Sequence, residues 1–377
     1  MTQSPLTPAE RDRAIGDLVE RVLRTRIECG QRYPLFAAPA GGRWTTSGRG
    51  SWCAGTWIGL LRLAAARSGD AATARNALDR ARGLGHWVTT DTVARAMVLR
   101  CATDPTDAVD AVACDPDVAR LRADCARALA AAFSPALGAI PDGTALGRGE
   151  FGARTCTVDA TASVIGLLHA APGVPGAAQV AGRHARTLLG AVAPDGRVPA
   201  EHRLRADGTG PEPLGRAGAW ARGQAWALLG AAEAARAWGA PWLVPARTIA
   251  AHWRTLPVPP PDVEGEPGLP DTAAAAIAAD ALRLLAAADP EHSAAHRATE
   301  QSLCAELVRT HLTGSAPGLL PQAPRGVFTH ACYRTGPRGR EQVECVWGGY
   351  HLLRALRGTD AVQFPSRAPL ITMPSCQ

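Results

Sequence analysis

The chain has 377 residues, 46% of them apolar and 20% charged, with a formal net charge of +6. That apolar supply suits one large core and excludes an intrinsically disordered chain. All 40 basic residues are Arg, interleaved with 34 acidic ones, so no basic block offers a nucleic-acid footprint.

No stretch of eighteen residues is free of charge and breakers, which excludes a readable membrane span. The opening segment MTQSPLTPAERDRAIGDLVERVLRTR is charged throughout and has no apolar h-region, so a cytoplasmic chain is expected. The ten Cys residues are scattered without any C-x-x-C pair and read as reduced, buried apolar side chains.

In chain order, the spacing of apolar residues and the Gly/Pro punctuation predict helices over 8–28, 51–68, 71–83, 88–102, 115–133, 157–171, 175–192, 219–238, 241–255, 271–288, 293–313 and 342–357. Alternation rich in Val, Ile and Thr, the mark of strands, is missing. The helices alternate in character. RDRAIGDLVERVLRTR and ARNALDRAR carry charge on one side. TWIGLLRLAAA, DATASVIGLLHAA, AWALLGAAEAA, DTAAAAIAADALRLLAAA and VWGGYHLLRAL are apolar nearly all round and must be surrounded by protein.

Six pairs of one half-wet and one buried helix make an all-α (α/α)6 barrel. An open solenoid would show a repeat of fixed period, which is absent. Residues 1–377 read as this single domain, with 360–377 as a C-terminal tail. The Gly-, Pro- and Asp-rich connections 134–156, 193–218, 256–270 and 314–341 each precede a buried helix and are expected to build the mouth of a pocket.

The polar and aromatic residues of the buried helices fall at or just before the first turn. Trp52 and Trp57 open the second helix, Asp91 the fourth, Asp159 the sixth and Asp271 the tenth. Trp220, Arg222, Gln224 and Trp226 open the eighth, and Glu344 and Trp347 the twelfth. Parallel inner helices would bring all of these to one cavity. Asp271, after Pro270, reads as an N-cap. Asp91 and Asp159 are read as an inward-facing acid pair on adjacent helices, a protonated acid and a charged partner suited to general acid–base work. Trp52 and Trp220 are the candidate sugar-stacking platforms. His202, in the loop before the eighth helix, is expected at the mouth.

Taken together these segments resemble one family. WARGQAWALLG at 220–230 is similar to the W-x-RGQAW-x-x-x-G signature of the unsaturated glucuronyl hydrolases, glycoside hydrolase family 88. PDTAAAAIAADALRLL, TVDATASVIGLLHAA, TTDTVARAM, WCAGTWIGLLRLA and VECVWGGYHLLRAL resemble further segments of that family, in family order and across nearly the whole chain.

The resemblance implies hydration of the C4=C5 double bond of a 4,5-unsaturated uronyl sugar, with no metal or organic cofactor. By position it makes Asp159 the catalytic acid and Asp91 the residue that holds substrate hydroxyls and tunes it. His202 and Gln224 would contact the sugar ring, and Trp52, Trp220, Arg222, Trp226 and Trp347 complete the expected substrate-binding set. The expected partner is a small, anionic sugar or glycoside, and the expected state a monomer or homodimer.

Three departures alter the mouth: Thr90 stands where the family has His, Ala160-Thr161-Ala162 where it has Asn-Met-Met, and the loop in which members carry a Trp after Gly-Ala-Ile reads Gly138-Ala139-Ile140-Pro141-Asp142-Gly143. They leave open a small-metabolite sugar handled by elimination or hydration, and a non-catalytic carbohydrate-binding barrel. A zinc-dependent cyclase, suggested by Ser51-Trp52-Cys53-Ala54-Gly55, would need a neighbouring Cys-His pair, which His330 and Cys332 do not supply. A sugar epimerase would need paired His residues at the mouth.

Overall fold

A computed structural model describes residues 4–39, 42–104, 110–171, 173–263, 268–336 and 339–358; the tail 360–377 lies outside them. Twelve long helices carry the fold: α1 (Pro8–Cys29), α2 (Ala54–Ser68), α3 (Ala71–Arg82), α4 (Arg95–Thr103), α5 (Pro116–Ala131), α6 (Thr161–His169), α7 (Ala177–Leu189), α8 (Ala221–Trp238), α9 (Ala240–Trp253), α10 (Thr272–Ala288), α11 (Ser293–His311) and α12 (Val346–Leu356). The even-numbered helices pack side by side in the order α2, α4, α6, α8, α10, α12 and back to α2, a closed ring. The odd-numbered helices clad it from outside, which is the expected six-hairpin barrel.

The sequence explains the layering. Nearly every residue of α8 and α10 is buried, including the run Ala273–Ala279. Ala and Gly let inner helices approach closely: a Cβ on Gly55 of α2 would stand 2.1 Å from the Val98 carbonyl oxygen of α4. Outer helices begin at strong caps. Thr7 and Glu10 form a capping box on α1, Asp70 caps α3, and Asp115 followed by Pro116 starts α5. Among the described residues no helix is long and apolar enough to cross a membrane, and no disulfide is present.

Two expectations need correction. The predicted helix over 88–102 is broken into a single turn, Gly85–Thr89, and α4. Thr side chains bond the local backbone at the break: Thr90 Oγ1 donates to the His86 carbonyl, and Thr92 Oγ1 accepts from Ala94 N–H. The Arg95 guanidinium takes up the freed carbonyls of Val88 and Thr90.

Strands also exist, short and confined to the connections. β1 (Tyr33–Ala37), β2 (Thr45–Ser47), β3 (Thr155–Thr157), β4 (Glu201–Leu204), β5 (Pro211–Leu214), β6 (Ala331–Gly336) and β7 (Gly339–Cys345) form two antiparallel sheets, ordered β2-β1-β7-β6 and β3-β4-β5.

Candidate active site

The N-terminal ends of the six inner helices meet. At α8, Arg222 stands over the rings of Trp220 and Trp347 and donates to the Asp271 carboxylate at 2.8 Å, where Asp271 caps α10. Trp347 of α12 lies 4.8 Å from Trp52, which leads into α2. Trp52 then lines a cavity of about 170 Å³ with Thr92, Val93, Ala94 and Met97 from the α4 side and Asp159 and Ala160 ahead of α6. Its volume is below the roughly 300–1,000 Å³ of most ligand pockets, so it suits one small ring.

Asp159 sits half-buried on a 3₁₀ turn (Val158–Ala160) between β3 and α6. Its carboxyl is raised above the ordinary range, first by loss of hydration and further by the charge of Asp142; the Thr157 hydroxyl pulls the other way. That hydroxyl lies 2.5 Å from Asp159 Oδ1 and 2.9 Å from Asp142 Oδ1. Asp142 also accepts from Thr157 N–H (3.0 Å), the Thr155 hydroxyl (2.8 Å) and Arg148 (2.5 Å). Arg148 in turn pairs with Glu201 of β4.

The scaffold fixes this network. β3 pairs with β4 so that Thr157 stands opposite Glu201, and Ile140 N–H donates to Nδ1 of the fully buried His184 on α7. Asp142 belongs to a Pro-Asp-Gly sequence that reads as a turn. The signal that could have singled it out is an acid in a long Gly/Pro connection just before a buried helix.

The other expected site residues divide into two groups. Trp52, Trp220 and Arg222 are half-buried around the mouth. Gln224, Trp226, Trp347 and His202 are buried. Gln224 spends its amide on the backbone of Val198, accepting from its N–H at 3.0 Å and donating to its carbonyl at 2.6 Å. It therefore clasps the loop before β4 rather than presenting its amide to the cavity. Trp226 meets His351 edge-on in the core. Burial holds His202 below its usual range, hence neutral.

Asp91 is exposed on the rim and does not line the cavity. Its Oδ2 accepts from Thr144 N–H (2.9 Å) and Thr144 Oγ1 (2.7 Å), which hold it below the usual carboxylate range. The carboxylate in contact with Thr157, alongside Asp159, is therefore that of Asp142.

Burial pushes the Cys53 thiol up to about 12, unlike a metal-binding thiolate. His330 pairs with His311, Nδ1 to Nδ1 at 2.9 Å, and neither lines the cavity. Among the described residues the one cluster with cation-ligand spacing is Asp289, Glu291 and His292. It lies past the C-terminus of α10, a 17-residue helix, and so about 25 Å from the mouth.

No protein-family model matches the sequence, and no curated protein matches it. Solved structures do. The unsaturated glucuronyl hydrolase of Bacillus sp. GL1, responsible for glycosaminoglycan degradation, superposes with a TM-score of 0.76 at 21% identity, over 92% of this chain and 96% of that one. That of Streptococcus agalactiae gives 0.78 at 19% identity, over 94% and 92%. An unsaturated glucuronyl hydrolase specific for heparin gives 0.78 at 20% identity, over 94% and 98%. The chain shares the six-hairpin fold of these enzymes over nearly its whole length.

Proposed function

We propose that the protein is a glycoside hydrolase-like enzyme that hydrates the C4=C5 vinyl ether of a 4,5-unsaturated uronyl, or closely related modified, sugar, with Asp159 as its acid. The observation that carries this reading is a carboxyl whose protonated form is favoured, on the floor of a cavity sized for one ring and flanked by Trp52. The shared fold and the order of motifs along the chain support it.

In this reading Asp159 gives its proton to C4, and the ring oxygen shares the positive charge that forms at C5. A water adds at C5 and returns a proton to the Asp159 carboxylate, so the acid is regenerated. The resulting hemiketal opens and the rest of the saccharide leaves. Trp52 and Trp220 serve as stacking faces. Gln224 and His202 act from behind the surface by fixing the β4 segment, and Asp91 by holding the rim.

One observation favours a second substrate class for the same acid. Arg148, the cation that lines the cavity, is already committed to Asp142 and Glu201, and Val93, Ala94, Met97 and Leu146 give the lining an uncharged, apolar side. An uncharged sugar would fit such a lining without needing a free counter-ion.

The deciding experiment follows loss of vinyl-ether absorbance with a panel of unsaturated uronyl glycosides, each as free acid and as methyl ester. Decay with the free acids is expected. Decay with the esters alone establishes the uncharged class, and decay with neither, from folded protein, overturns the proposal.

A further inference from the structure

We propose that Asp142, acting through the hydroxyl of Thr157, is the positioning residue that keeps the proton on Asp159, the place that a residue on the α4 side was expected to fill. The inference rests on the reading of Asp159 as the acid and names what sets that acid's state.

Thr157 Oγ1 contacts a carboxyl oxygen of Asp142 and one of Asp159, yet it carries a single hydrogen. One contact uses that hydrogen. The other is a hydrogen bond only if the second carboxyl is protonated and donates to Thr157 Oγ1.

The environments decide which carboxyl that is. Asp142 receives Thr157 N–H, the Thr155 hydroxyl and the Arg148 guanidinium in addition to Thr157 Oγ1, a set that suits a full negative charge. Asp159 has Thr157 as its side-chain partner and the N–H groups of Asp159 and Ala160 as backbone partners, but its loss of hydration beside the cavity outweighs them. The arrangement with fewest conflicts has ionised Asp142 accepting from Thr157 O–H, and Asp159 donating to the same oxygen.

The surrounding charges support this assignment. From β4, Glu201 shares Arg148 with Asp142, so two acids face one cation. From α8, which packs on the turn bearing Asp159, Arg222 is engaged by Asp271. From the α4 side, Arg95 is turned to the carbonyls of Val88, Thr90 and Ala128. Asp91, which could have played this part, is bonded to Thr144 on the rim.

The test needs no substrate. Protein carrying ¹³C-carboxyl aspartate is titrated by NMR, with Asp159→Asn identifying the Asp159 signal. In the unsubstituted protein that signal is expected to titrate above ordinary carboxyls. Asp142→Asn, which keeps the shape and removes the charge, should lower its midpoint by about one pH unit or more. Arg148→Gln, which unmasks the Asp142 charge, should move the last proton of the pair to higher pH, the opposite direction. This second variant keeps the idea testable if Asp142→Asn does not fold.

An ordinary midpoint in the unsubstituted protein, or one unmoved by both variants, overturns the inference. Expected shifts without vinyl-ether turnover would leave it standing and remove the proposed function instead.

Discussion

The two ends of the barrel use the same residue types in opposite ways. From the middle of the inner helices to their C-terminal ends, buried charges are matched. Asp280 of α10 faces Arg283, Arg354 and His351; Arg100 of α4 pairs with Asp104 and with Glu233 of α8; Arg62 of α2 takes Asp110. Burial pushes the Asp280 carboxyl up, but Arg354, Arg283 and His351 outweigh it and hold the group far below the ordinary range.

At the mouth the acids exceed the cations, and among the described residues Asp159 has no cation paired with it. Matched charges hold helices together; in the proposed reading, the acid without a matching cation keeps the proton that the reaction uses. That reading assigns stability and chemistry to different parts of one ring.

Substitutions should separate the two ends. The largest effect is expected from Asp159→Asn, which should cut turnover by about 10²–10⁴-fold while thermal unfolding stays at or above the parent temperature. A fall in stability matching the fall in activity would break the comparison.

Asp280→Asn should do the reverse. It leaves Arg354, Arg283 and His351 facing a neutral group and should cost about 3–5 kcal/mol in denaturant unfolding. An unchanged unfolding midpoint would show the far end to be less tightly coupled than its geometry implies.

Trp52→Ala should raise KM by up to about tenfold with little change in kcat, measured by steady-state kinetics. This is the loss of one stacking face rather than of the acid.

His184 links the mouth to acid stability. Burial lowers it from 6.5 to about 3, so the folded state binds fewer protons than the unfolded chain between those values. Stability should therefore fall as pH drops through that window, by at most about 1.4 kcal/mol per pH unit. His184→Gln should flatten that slope in unfolding curves recorded from pH 7 to 4.

The ring was legible in the sequence because helix periodicity and all-round apolar segments report burial directly. α10 was bounded almost to the residue, since Asp271 caps it by accepting from Ala273 and Ala274. The strands were not legible. Glu201–Leu204 and Pro211–Leu214 are four residues each, too short for alternation to register, and their pairing is set by contacts distant in the chain.

The site was half legible. Asp159 stood out at a helix start, and so did Trp52. Asp142 stayed hidden because the role proposed for it depends on β3 bringing Thr157 back beside it. Gln224 carried a motif whose use, clasping Val198, depends on a loop that folds over it.

Gly143 carries a wider consequence. It has φ +82°, and a Cβ there would stand 2.3 Å from the Asp91 carbonyl oxygen. On either side of it, Val93 N–H donates to the Asp142 carbonyl and Ala145 N–H to that of Asp91. The outer lip and Asp142 are thus joined through backbone hydrogen bonds, so a movement of the lip is expected to displace Asp142 relative to Thr157. Amide hydrogen exchange should find Val93 and Ala145 opening with a single shared rate, and two separate rates would uncouple entry from acidity.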